Sequence, residues 1–553
     1  MAYKILLPGY VPKEALDILR QRPGVAVDEK KGITYDEILA IIQDYDGIFC
    51  VSNTKVDARL LDAAKKLKFV GRLGVGTDKI DLAACTKKGI LVYNDPNGNT
   101  VSAAEQAMAL MLCVMRKTVL ATNSMRAGEF DRSKTMGFEL CAKTIGIIGL
   151  GKIGSRVAQY ANGFEMKVIG YDPYLKKERA QEMNVELVGS IEEICKRSDI
   201  ITLHMPMTAD KKPIIGANEF SLMKKGIVII NAARGGLVDE AALFENLNNG
   251  KVYGAGIDVW SKEPIEKGSM PEKLIALQNV VSAPHLGSRT VDAQLKTGMS
   301  IVKQTLLAMD GKVVPFALNL PYMLKPDELE NAQTYMNAAK ILGAMLYQLG
   351  QKKPAKICVE FGGTVPESAK KAVATFAVQG FLEKMRPDAN TVNCMLLATE
   401  EGIAVSQPAQ LQPTDYANAV IITAAYSDGT SDSITASIFS HKFLRIVGYS
   451  GYDFEAKASP RMLWTINDDV PGVIGHIGTV LEKYGINIAE MALGRRRKFK
   501  KAVAVLAIDA NVPEEAIKEL KSDSRIGIVR QISLDENLII TPNNKNHANG
   551  SEE

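Results

Sequence analysis

Three glycines mark the turn that most constrains the fold of this chain. Gly149, Gly151 and Gly154 form a G-x-G-x-x-G pattern between the apolar run TIGIIGL and the helical pattern KIGSRVAQY. Glycines there permit a tight turn and let backbone amides at the start of the helix approach a pyrophosphate. Asp172 closes the next predicted strand, where a carboxylate accepts hydrogen bonds from an adenosine ribose and repels a 2′-phosphate. The pattern therefore predicts a dinucleotide site that prefers NAD, and the two lysines shortly after Asp172 keep NADP open as the alternative.

The segments around this turn alternate between apolar runs and helical patterns. The predicted strands of this block are TIGIIGL, KVIGYD, DIITLHMP, GIVIINAARG, VYGAGIDVW and NVVSAPHLG. Continuous apolar runs are typical of parallel strands that are buried on both faces. The block therefore predicts a Rossmann-type, doubly wound sheet.

The first hundred residues show the same alternation and predict a second parallel α/β unit. Its predicted strands are YKILLPGY, YDGIFCVSN, KFVGRLGVG and ILVYNDP, and its predicted helices are PKEALDILRQR, YDEILAIIQDY and DARLLDAAKKL. One long helical pattern, from Ser102 to about Ala127, is long enough to connect the two units. A further helix is predicted over about 291–309.

The second half of the chain predicts two α+β units. Residues from about 325 to 455 show two helical patterns and then strand-like runs, which are CMLLATEEGIAVS, NAVIITAAYS, SITASIFS and FLRIVGYSGYDFEA. The segment from Arg461 to about Leu534 has the order β-α-β-β-α-β, which is that of a ferredoxin-like domain. The polar tail TPNNKNHANGSEE is predicted to be disordered.

Composition and charge exclude several classes of protein. The chain has 67 basic and 63 acidic side chains among 553 residues, a balance that argues against a general nucleic-acid or membrane-surface binder. No apolar stretch reaches the roughly 18 residues that span a bilayer, and the amino terminus MAYKILLPGY has no signal-peptide pattern. Seven scattered cysteines without a CxxC motif predict a reducing, cytoplasmic setting and no metal site.

Three polar residues follow predicted strands of the second block, where ligands of open α/β sheets bind. Arg234 follows IVIINAA, Glu263 follows AGIDVW and His285 follows NVVSAP. An arginine can hold a carboxylate by two hydrogen bonds, and a histidine backed by a carboxylate can exchange a proton near neutral pH. Together with NAD these groups could oxidise a 2-hydroxy acid. The alternative is three unrelated loop residues, since a single histidine is more often structural.

Several segments resemble the signature segments of the D-isomer-specific 2-hydroxy acid dehydrogenases. They are GRLGVGTDKIDL, NDPNGNTVSAAEQAMALML, GLGKIG, YDP, LHMP, NAARGGLVDE, GIDVWSKEP and APHLG. The segments NDDVPGVIGHIG and YGINIAEMALGR resemble an ACT regulatory domain, and the unit before them resembles the intervening domain of the long members of this family. The resemblance implies oxidation of 3-phospho-D-glycerate to 3-phosphohydroxypyruvate with NAD, the first step of L-serine biosynthesis.

The resemblance also implies the roles of individual residues. Arg234 would bind the substrate carboxylate, His285 would be the acid–base, and Glu263 would orient the histidine. The residues expected around the cofactor are Val75, Gly149, Gly151, Lys152, Ile153, Gly154, Asp172, Met205, Pro206, Ala232, Ala233, Arg234, Asp258, His285, Leu286, Gly287 and Ser288. The residues expected around the substrate are Ser52, Asn53, Arg72, Val75, Gly76 and Arg234.

One position departs from the family pattern. The loop CVSNTKV has Val51 where long members of the family usually have an arginine. Without an arginine at position 51, Arg72 is the residue expected to bind the substrate phosphate, and Lys55 and Arg132 could assist it. It also favours a rival, a glyoxylate or hydroxypyruvate reductase type of 2-hydroxy acid dehydrogenase. A non-catalytic NAD-sensing scaffold is the second rival.

The family architecture implies a domain division, an effector and an assembly. It divides the chain into a flavodoxin-like substrate domain (1–100 and 288–324), an NAD-binding domain (101–287), an intervening regulatory domain (325–458), an ACT domain (459–536) and a tail (537–553). Asn467, Asp469 and Asn487 match the effector-binding set of ACT domains, which in this family usually takes L-serine. The alternative is that they only cap a helix and a turn. A homotetramer is the expected assembly.

Overall fold

A computed structural model describes residues 3–130, 132–207, 210, 212–324, 326–362, 365, 367–407, 416, 418–439, 443–496 and 500–539. Within these residues the chain forms four β-sheets, of five, seven, six and four strands in chain order. The first two sheets are parallel and the last is antiparallel. The predicted α/β fold with a ferredoxin-like final unit is confirmed.

The first sheet has the strand order β2-β1-β3-β4-β5. Its strands are β1 (Tyr3–Leu7), β2 (Val25–Glu29), β3 (Gly47–Cys50), β4 (Phe69–Arg72) and β5 (Leu91–Asn94), and its helices are α1 (Lys13–Arg20), α2 (Tyr35–Ile41), α3 (Ala58–Ala63) and α4 (Leu82–Lys87). The four predicted strands are confirmed. Strand β2 was not predicted, because it lies at an edge of the sheet and its residues are only partly buried.

Two helices connect the first sheet to the second. The sequence predicted one helix over 102–127, but the structure has α5 (Thr100–Met115) and α6 (Thr118–Arg126). The break is at Lys117, which has a left-handed backbone with φ of 51°. A non-glycine residue in that conformation cannot continue a right-handed helix. The apolar periodicity on both sides of Lys117 hides this change of direction.

The second sheet has the strand order β12-β11-β10-β9-β6-β7-β8. Its strands are β6 (Thr144–Ile148), β7 (Lys167–Tyr171), β8 (Glu186–Leu187), β9 (Ile200–Leu203), β10 (Ile227–Asn231), β11 (Val252–Ile257) and β12 (Val280–Ser282). Its helices are α7 (Lys152–Gly163), α8 (Lys177–Glu182), α9 (Ile191–Arg197), α10 (Ala217–Leu222), α11 (Glu240–Asn248) and α12 (Met270–Ile275). Every residue of β9 and β10 is buried, as two-sided packing requires. The crevice where strand order reverses lies between β6 and β9.

The chain then returns to the first sheet. Helix α13 (Val291–Met309) packs on α1 and β4, and Oγ1 of Thr305 lies 2.6 Å from the hydroxyl of Tyr93 in β5. The backbone N–H of Leu318 donates to the carbonyl of Val92. The part of the chain that follows the second sheet is therefore packed against the first one.

The third sheet has the strand order β14-β13-β15-β16-β17-β18. Its elements are α14 (Pro326–Gly350), β13 (Lys356–Phe361), α15 (Glu367–Met385), α16 (Cys394–Glu400), β14 (Ala404–Ser406), β15 (Ala419–Ala425), β16 (Ser431–Phe439), β17 (Phe443–Tyr449) and β18 (Tyr452–Lys457). The strand prediction for CMLLATEEGIAVS was wrong over most of its length. Cys394, Leu397 and Ala398 are buried at helical spacing, and only 404–406 form a strand.

The fourth sheet has the strand order β20-β21-β19-β22. Its elements are β19 (Arg461–Asp468), α17 (Val473–Lys483), β20 (Ile488–Arg496), β21 (Lys501–Ile508), α18 (Glu514–Ser522) and β22 (Ile526–Ser533). The predicted β-α-β-β-α-β order is confirmed. Of the predicted tail, 540–553 lie outside the described residues, whereas its first residues are ordered: a 3₁₀ turn, Glu536–Leu538, spans the start of the tail.

The third and fourth sheets share a hydrophobic core. Trp464 of β19 is almost fully buried, and its ring makes edge contacts with Tyr449 and Phe454, with centroids 5.5 Å and 5.6 Å away. One face of the fourth sheet thus packs on the preceding unit, while its other face packs on its own helices.

The described residues meet the requirements of neither a membrane-spanning helix nor a metal site. No helix among them is long and apolar enough to cross a bilayer. They also contain no group of three or more histidine, cysteine, aspartate or glutamate side chains placed to hold a metal ion.

Candidate active site

The glycine turn lies between β6 and α7. Gly149 has φ of +91°, and a Cβ there would be 2.6 Å from the carbonyl oxygen of His204. A Cβ on Gly154 would lie 1.9 Å from the carbonyl oxygen of Gly149, so neither position accepts a side chain. Gly151 precedes the helix, has no side-chain cap, and faces open space. The amides at the start of α7 are therefore directed at a space that can hold an anion.

Asp172 lies at the end of β7, beside the glycine turn. Its Oδ2 accepts a hydrogen bond from the backbone N–H of Leu150 at 2.8 Å, and its Oδ1 accepts one from Tyr174 at 2.9 Å. These two backbone donors hold the carboxylate at the crevice, where the sequence predicted that it accepts hydrogen bonds from a ribose. Gly149, Gly151 and Asp172 thus form a cradle that fits the phosphates and adenosine ribose of NAD.

The loops after β9 and β10 form the next part of the crevice. Met205 and Pro206 follow β9, and Ala232 and Ala233 follow β10. The buried Asn231 shapes the second loop. Its amide donates to the carbonyl of Arg234 at 2.9 Å, and its Oδ1 accepts from the N–H of Ala233 at 3.2 Å.

Asp258 shapes the turn that carries the histidine. Its side chain is fully buried and accepts hydrogen bonds from the backbone N–H groups of Leu286 and Gly287, both at 2.8 Å. The amide of Gln106 in α5 also donates to it, at 3.3 Å. The predicted residues 285–288 therefore lie in a turn whose backbone is held by one buried carboxylate.

His285 and Glu263 form a hydrogen-bonded pair. Nδ1 of His285 lies 2.8 Å from Oε2 of Glu263, and Oε1 of Glu263 accepts from the N–H of Trp260 at 3.0 Å. His285 has φ of 57°, a conformation that is rare for a residue with a side chain and is concentrated at functional sites. Because Nδ1 is occupied by Glu263, Nε2 is the ring nitrogen that can accept a proton from a substrate.

Arg234 reaches the loop that follows β4 of the first sheet. One of its terminal nitrogens donates to the carbonyl of Ala233 at 2.8 Å, and its Nε lies 3.5 Å from Oδ2 of Asp78. A Cβ on Gly76 would lie 2.6 Å from Nη2 of Arg234. The arginine therefore lies in the cleft between the first two sheets.

The predicted substrate loop is organised by Arg72. Its Nε donates to the carbonyl of Gly76 at 2.7 Å and its Nη1 to that of Leu73 at 2.6 Å. Its Nη2 lies 3.4 Å from the hydroxyl of Ser52, and burial lowers the pKa of the guanidinium. The amide of Asn94 donates to the carbonyl of Val75 at 2.8 Å. Most donors of Arg72 hold the loop, and Nη2 is the one on the side of the exposed Ser52.

The other residues that the sequence associated with the substrate or its phosphate lie in the loops after β3 and α6. Asn53 is exposed in the turn after β3. Lys55 forms an ion pair with Asp57 at 2.7 Å, and Val51 lies against Gly9. Arg132 lies in the loop that follows α6.

Lys152 links the glycine turn to the chain that leaves the first sheet. Its Nζ donates to Oδ1 of Asn97 at 2.6 Å and to the carbonyl of Pro96 at 3.3 Å. The sequence predicted only backbone contacts for Lys152. Its side chain connects the two halves of the cleft.

The three residues predicted to bind an effector lie at strand ends of the fourth unit: Asn467 and Asp469 at the end of β19, and Asn487 just before β20. Asn467 is buried, and its amide donates to the carbonyl of Asp468 at 2.8 Å. Asp469 lies 3.2 Å from Nε of Arg495, and the amide of Asn487 donates to Asp509 at 2.8 Å. Each residue thus has a partner within this chain.

Sequence reasoning missed three residues that shape the site. Asn231 and Gln106 hold the loops described above, and His204 lies under the glycine turn with Nε2 2.9 Å from the hydroxyl of Thr202. Burial lowers the pKa of His204 to about 4, so its ring is neutral at physiological pH. The position of Asn231 at the end of a buried strand was the one available signal.

Comparisons with known protein families agree with this architecture. Residues 108–287 match the NAD-binding domain of D-isomer-specific 2-hydroxyacid dehydrogenases. Residues 331–449 match the D-3-phosphoglycerate dehydrogenase intervening domain, and residues 465–525 match the ACT domain.

Similar proteins cover nearly the whole chain. A D-3-phosphoglycerate dehydrogenase from Methanocaldococcus jannaschii is 37% identical over 96% of this chain and 100% of its own length. One from Archaeoglobus fulgidus is 36% identical over 89% of this chain and 92% of its own. Among solved structures, a glyoxylate reductase from Paecilomyes thermophila has a TM-score of 0.52 and 28% identity, covering 57% of this chain and 98% of its own.

Proposed function

The chain belongs to the family of D-3-phosphoglycerate dehydrogenases, and we propose that it catalyses the NAD-dependent oxidation of 3-phospho-D-glycerate to 3-phosphohydroxypyruvate, the first step of L-serine biosynthesis. The observation that carries the proposal is the pairing of His285 with Glu263 at 2.8 Å, at the carboxyl edge of an NAD-binding sheet. Arg234 supplies a cation in the same cleft.

The chemistry follows from these three side chains. Arg234 binds the substrate carboxylate through two hydrogen bonds and so fixes the position of C2. Nε2 of His285 accepts the proton of the C2 hydroxyl as the C2–H bond breaks. Glu263 stabilises the imidazolium that forms. Bound NAD supplies the hydride acceptor.

The cofactor is proposed to lie along the edge of the second sheet. The amides of Lys152 and Ile153 would hold its pyrophosphate, and Asp172 its adenosine ribose. Met205 and Pro206 would border the adenine. The nicotinamide end would meet the loops that contain Val75, Ala232, Ala233, Asp258 and the turn Leu286, Gly287, Ser288.

The phosphate is proposed to bind beside Ser52, Asn53 and Arg72, with Val75 and Gly76 lining the loop. Nη2 of Arg72 points to the Ser52 hydroxyl, and a phosphate oxygen could accept from both groups. Ser52→Ala tests this site better than a change at Arg72, because Arg72 also holds the loop. We expect kcat/KM to fall for 3-phosphoglycerate and to stay unchanged for D-glycerate. An equal loss on both substrates would place the phosphate elsewhere.

The reaction itself can be tested by its products. Incubation with NAD and 3-phosphoglycerate, with hydrazine to trap the keto acid, should give NADH and the hydrazone of the phosphorylated keto acid in equal amounts. A glyoxylate or hydroxypyruvate reductase is the second candidate, which Val51 favours. NADH formation with glycerate but not with 3-phosphoglycerate would support that candidate instead.

The final unit is proposed to bind L-serine through Asn467, Asp469 and Asn487. Asp469 can accept from an ammonium group, and the asparagine amides can donate to a carboxylate. Any effect on the distant cleft requires different affinities for two domain arrangements, typically about 1–3 kcal/mol of coupling.

Calorimetry with L-serine tests this effector site. Binding to the wild type and loss of binding in Asp469→Ala support it. Asp468→Ala is the matched control, because that neighbour is paired with Lys501 instead. A point variant is preferable to deletion from Arg461 onward, since deletion removes Trp464 from the shared core. No binding at millimolar serine would leave the unit an assembly module.

The chain is also proposed to form a homo-oligomer, a tetramer in this family. Large apolar side chains are exposed on α6 and the segment after it, namely Val119, Met125, Phe130, Met136 and Phe138. Several exposed apolar side chains in one segment are typical of an interaction surface, and we assign this segment to contact with a second copy of the chain. Light scattering should give a multiple of the chain mass, reduced by Phe130→Ser combined with Met136→Ser. A monomeric wild type would contradict this assignment.

We also propose a division into domains and a cytoplasmic location. The packing of α13 on α1 and β4 supports a split substrate domain of 1–100 and 288–324 around an NAD-binding domain of 101–287. The intervening and ACT domains would then span 325–458 and 459–536. All seven cysteines are free thiols, which supports a cytoplasmic location.

A further inference from the structure

Glu240 holds the loop that carries the partner of the candidate catalytic histidine. It is the first residue of α11, and each of its carboxylate oxygens accepts one hydrogen bond from Ser261. Oε1 accepts from the backbone N–H at 2.8 Å, and Oε2 accepts from the side-chain hydroxyl at 2.7 Å. Ser261 lies two residues before Glu263. The two bonds therefore fix both the backbone and the side chain of one residue in this loop.

The same loop is held at neighbouring points. The N–H of Trp260 donates to Oε1 of Glu263 at 3.0 Å, so the backbone next to Ser261 orients that carboxylate. A Cβ on Gly235 would lie 1.9 Å from the carbonyl oxygen of Trp260, so the loop also packs directly on the turn after Arg234. A displacement of 260–261 would therefore move Glu263 relative to His285.

Glu240 is not needed to begin its own helix. Asp239 is the N-cap residue of α11, and its side chain accepts from the N–H groups of Ala241 and Ala242. In the part of the chain that the structure describes, the ion pairs within 4.0 Å include none that involves Glu240. Both carboxylate oxygens of Glu240 thus accept from Ser261. Neither helix capping nor a surface ion pair explains this arrangement.

We propose that Glu240 is a positioning residue, which fixes the 260–263 loop so that Glu263 meets Nδ1 of His285. The proposal rests on the proposed function in taking the pair of His285 and Glu263 as the acid–base machinery. Glu240 acts through Ser261 and Trp260 and touches neither substrate nor cofactor. A small misplacement of a catalytic group can lower the rate by up to about 10²-fold.

The test compares Glu240→Ala with Glu240→Gln. The alanine variant loses both bonds, so we expect kcat to fall by about 10- to 100-fold with little change in KM for NAD. The pH profile of kcat/KM should also differ from that of the wild type, because Glu263 no longer meets Nδ1 of His285. The glutamine variant retains an acceptor for the Ser261 N–H and a donor for its hydroxyl, and it should restore most of the rate.

Glu219→Ala is the matched control. Glu219 accepts from the backbone N–H of Gly216 at 2.8 Å in the same domain, at the start of α10. We expect its kcat and pH profile to match those of the wild type. A wild-type profile in Glu240→Ala would overturn the proposal, as would equal losses of kcat and Tm in Glu240→Ala and Glu219→Ala.

A second readout does not depend on the substrate. The rate at which diethyl pyrocarbonate modifies His285, followed by peptide mass spectrometry, reports how the ring is held. We expect this rate to change in Glu240→Ala and to stay at the wild-type value in Glu219→Ala. If the wild type fails to oxidise 3-phosphoglycerate, the proposed function fails while this comparison still tests the positioning role. An unchanged rate in Glu240→Ala would contradict that role.

Discussion

Nε of Arg234 lies 3.5 Å from Oδ2 of Asp78, so the arginine that follows β10 of the second sheet is paired with the loop that follows β4 of the first. This ion pair crosses the cleft in which the 2-hydroxy acid is proposed to bind. A substrate carboxylate has to compete with Asp78 for the same guanidinium.

Asp78→Asn should therefore lower KM for 3-phosphoglycerate with little change in kcat. Asp78 is 69% exposed, and exposed ion pairs are worth roughly 0.2–1 kcal/mol, so we expect a decrease in KM of about fivefold at most. The effect should shrink at high ionic strength, because salt screens exposed charges. A rise in KM would show instead that Asp78 holds Arg234 in its binding position.

His285→Ala should lower kcat by about 10²–10⁴-fold, because the proposed general base is lost. NAD binding, measured by calorimetry, should be unchanged, since the glycine turn and Asp172 are not altered. Glu263→Gln should give a smaller loss, because the amide can still contact Nδ1. Near-normal turnover in the alanine variant would remove His285 from the mechanism.

Asp172→Asn should lower the ratio of kcat/KM with NAD to that with NADP. The variant loses the charge that is proposed to repel a 2′-phosphate but retains an acceptor for the Leu150 N–H, so the glycine turn should persist. Steady-state rates with both cofactors measure the ratio. An unchanged ratio would mean that Asp172 does not read the ribose.

His204 predicts a pH dependence of stability. Burial lowers its pKa to about 4, below the value of about 6.5 in an unfolded chain. The contribution of His204 to the free energy of unfolding is complete above about pH 6.5. It is lost as the pH falls towards 4, because the unfolded chain then binds a proton at this histidine more readily than the folded chain does. Tm should therefore fall from pH 7 to pH 5 less steeply in His204→Gln than in the wild type. Parallel curves would contradict this assignment.

The sequence could predict the parts of the site that depend on strand ends. Gly149, Asp172, Arg234 and His285 each closely follow a strand of the second sheet, and carboxyl ends of parallel strands meet at one edge. Contacts between distant segments could not be predicted this way. The bond from Gln106 to Asp258 joins residues far apart in the chain, and its existence depends on how α5 packs on the second sheet.

The spacing of apolar residues gave a wrong prediction where it could not distinguish a helix from a strand. The apolar run at Cys394–Glu400 is short, and its helical form is set by packing against α15. A run of that length fits either period, so only the surrounding structure decides between them.

Initial rates of NAD reduction with 3-phospho-D-glycerate, D-glycerate, D-lactate and D-2-hydroxyglutarate, measured side by side, test the central claim most directly. A charge-assisted hydrogen bond is worth roughly 1.5–3 kcal/mol, so kcat/KM for 3-phosphoglycerate should exceed that for D-glycerate by about 10- to 150-fold. A higher kcat/KM for any unphosphorylated acid would contradict the assignment of the substrate.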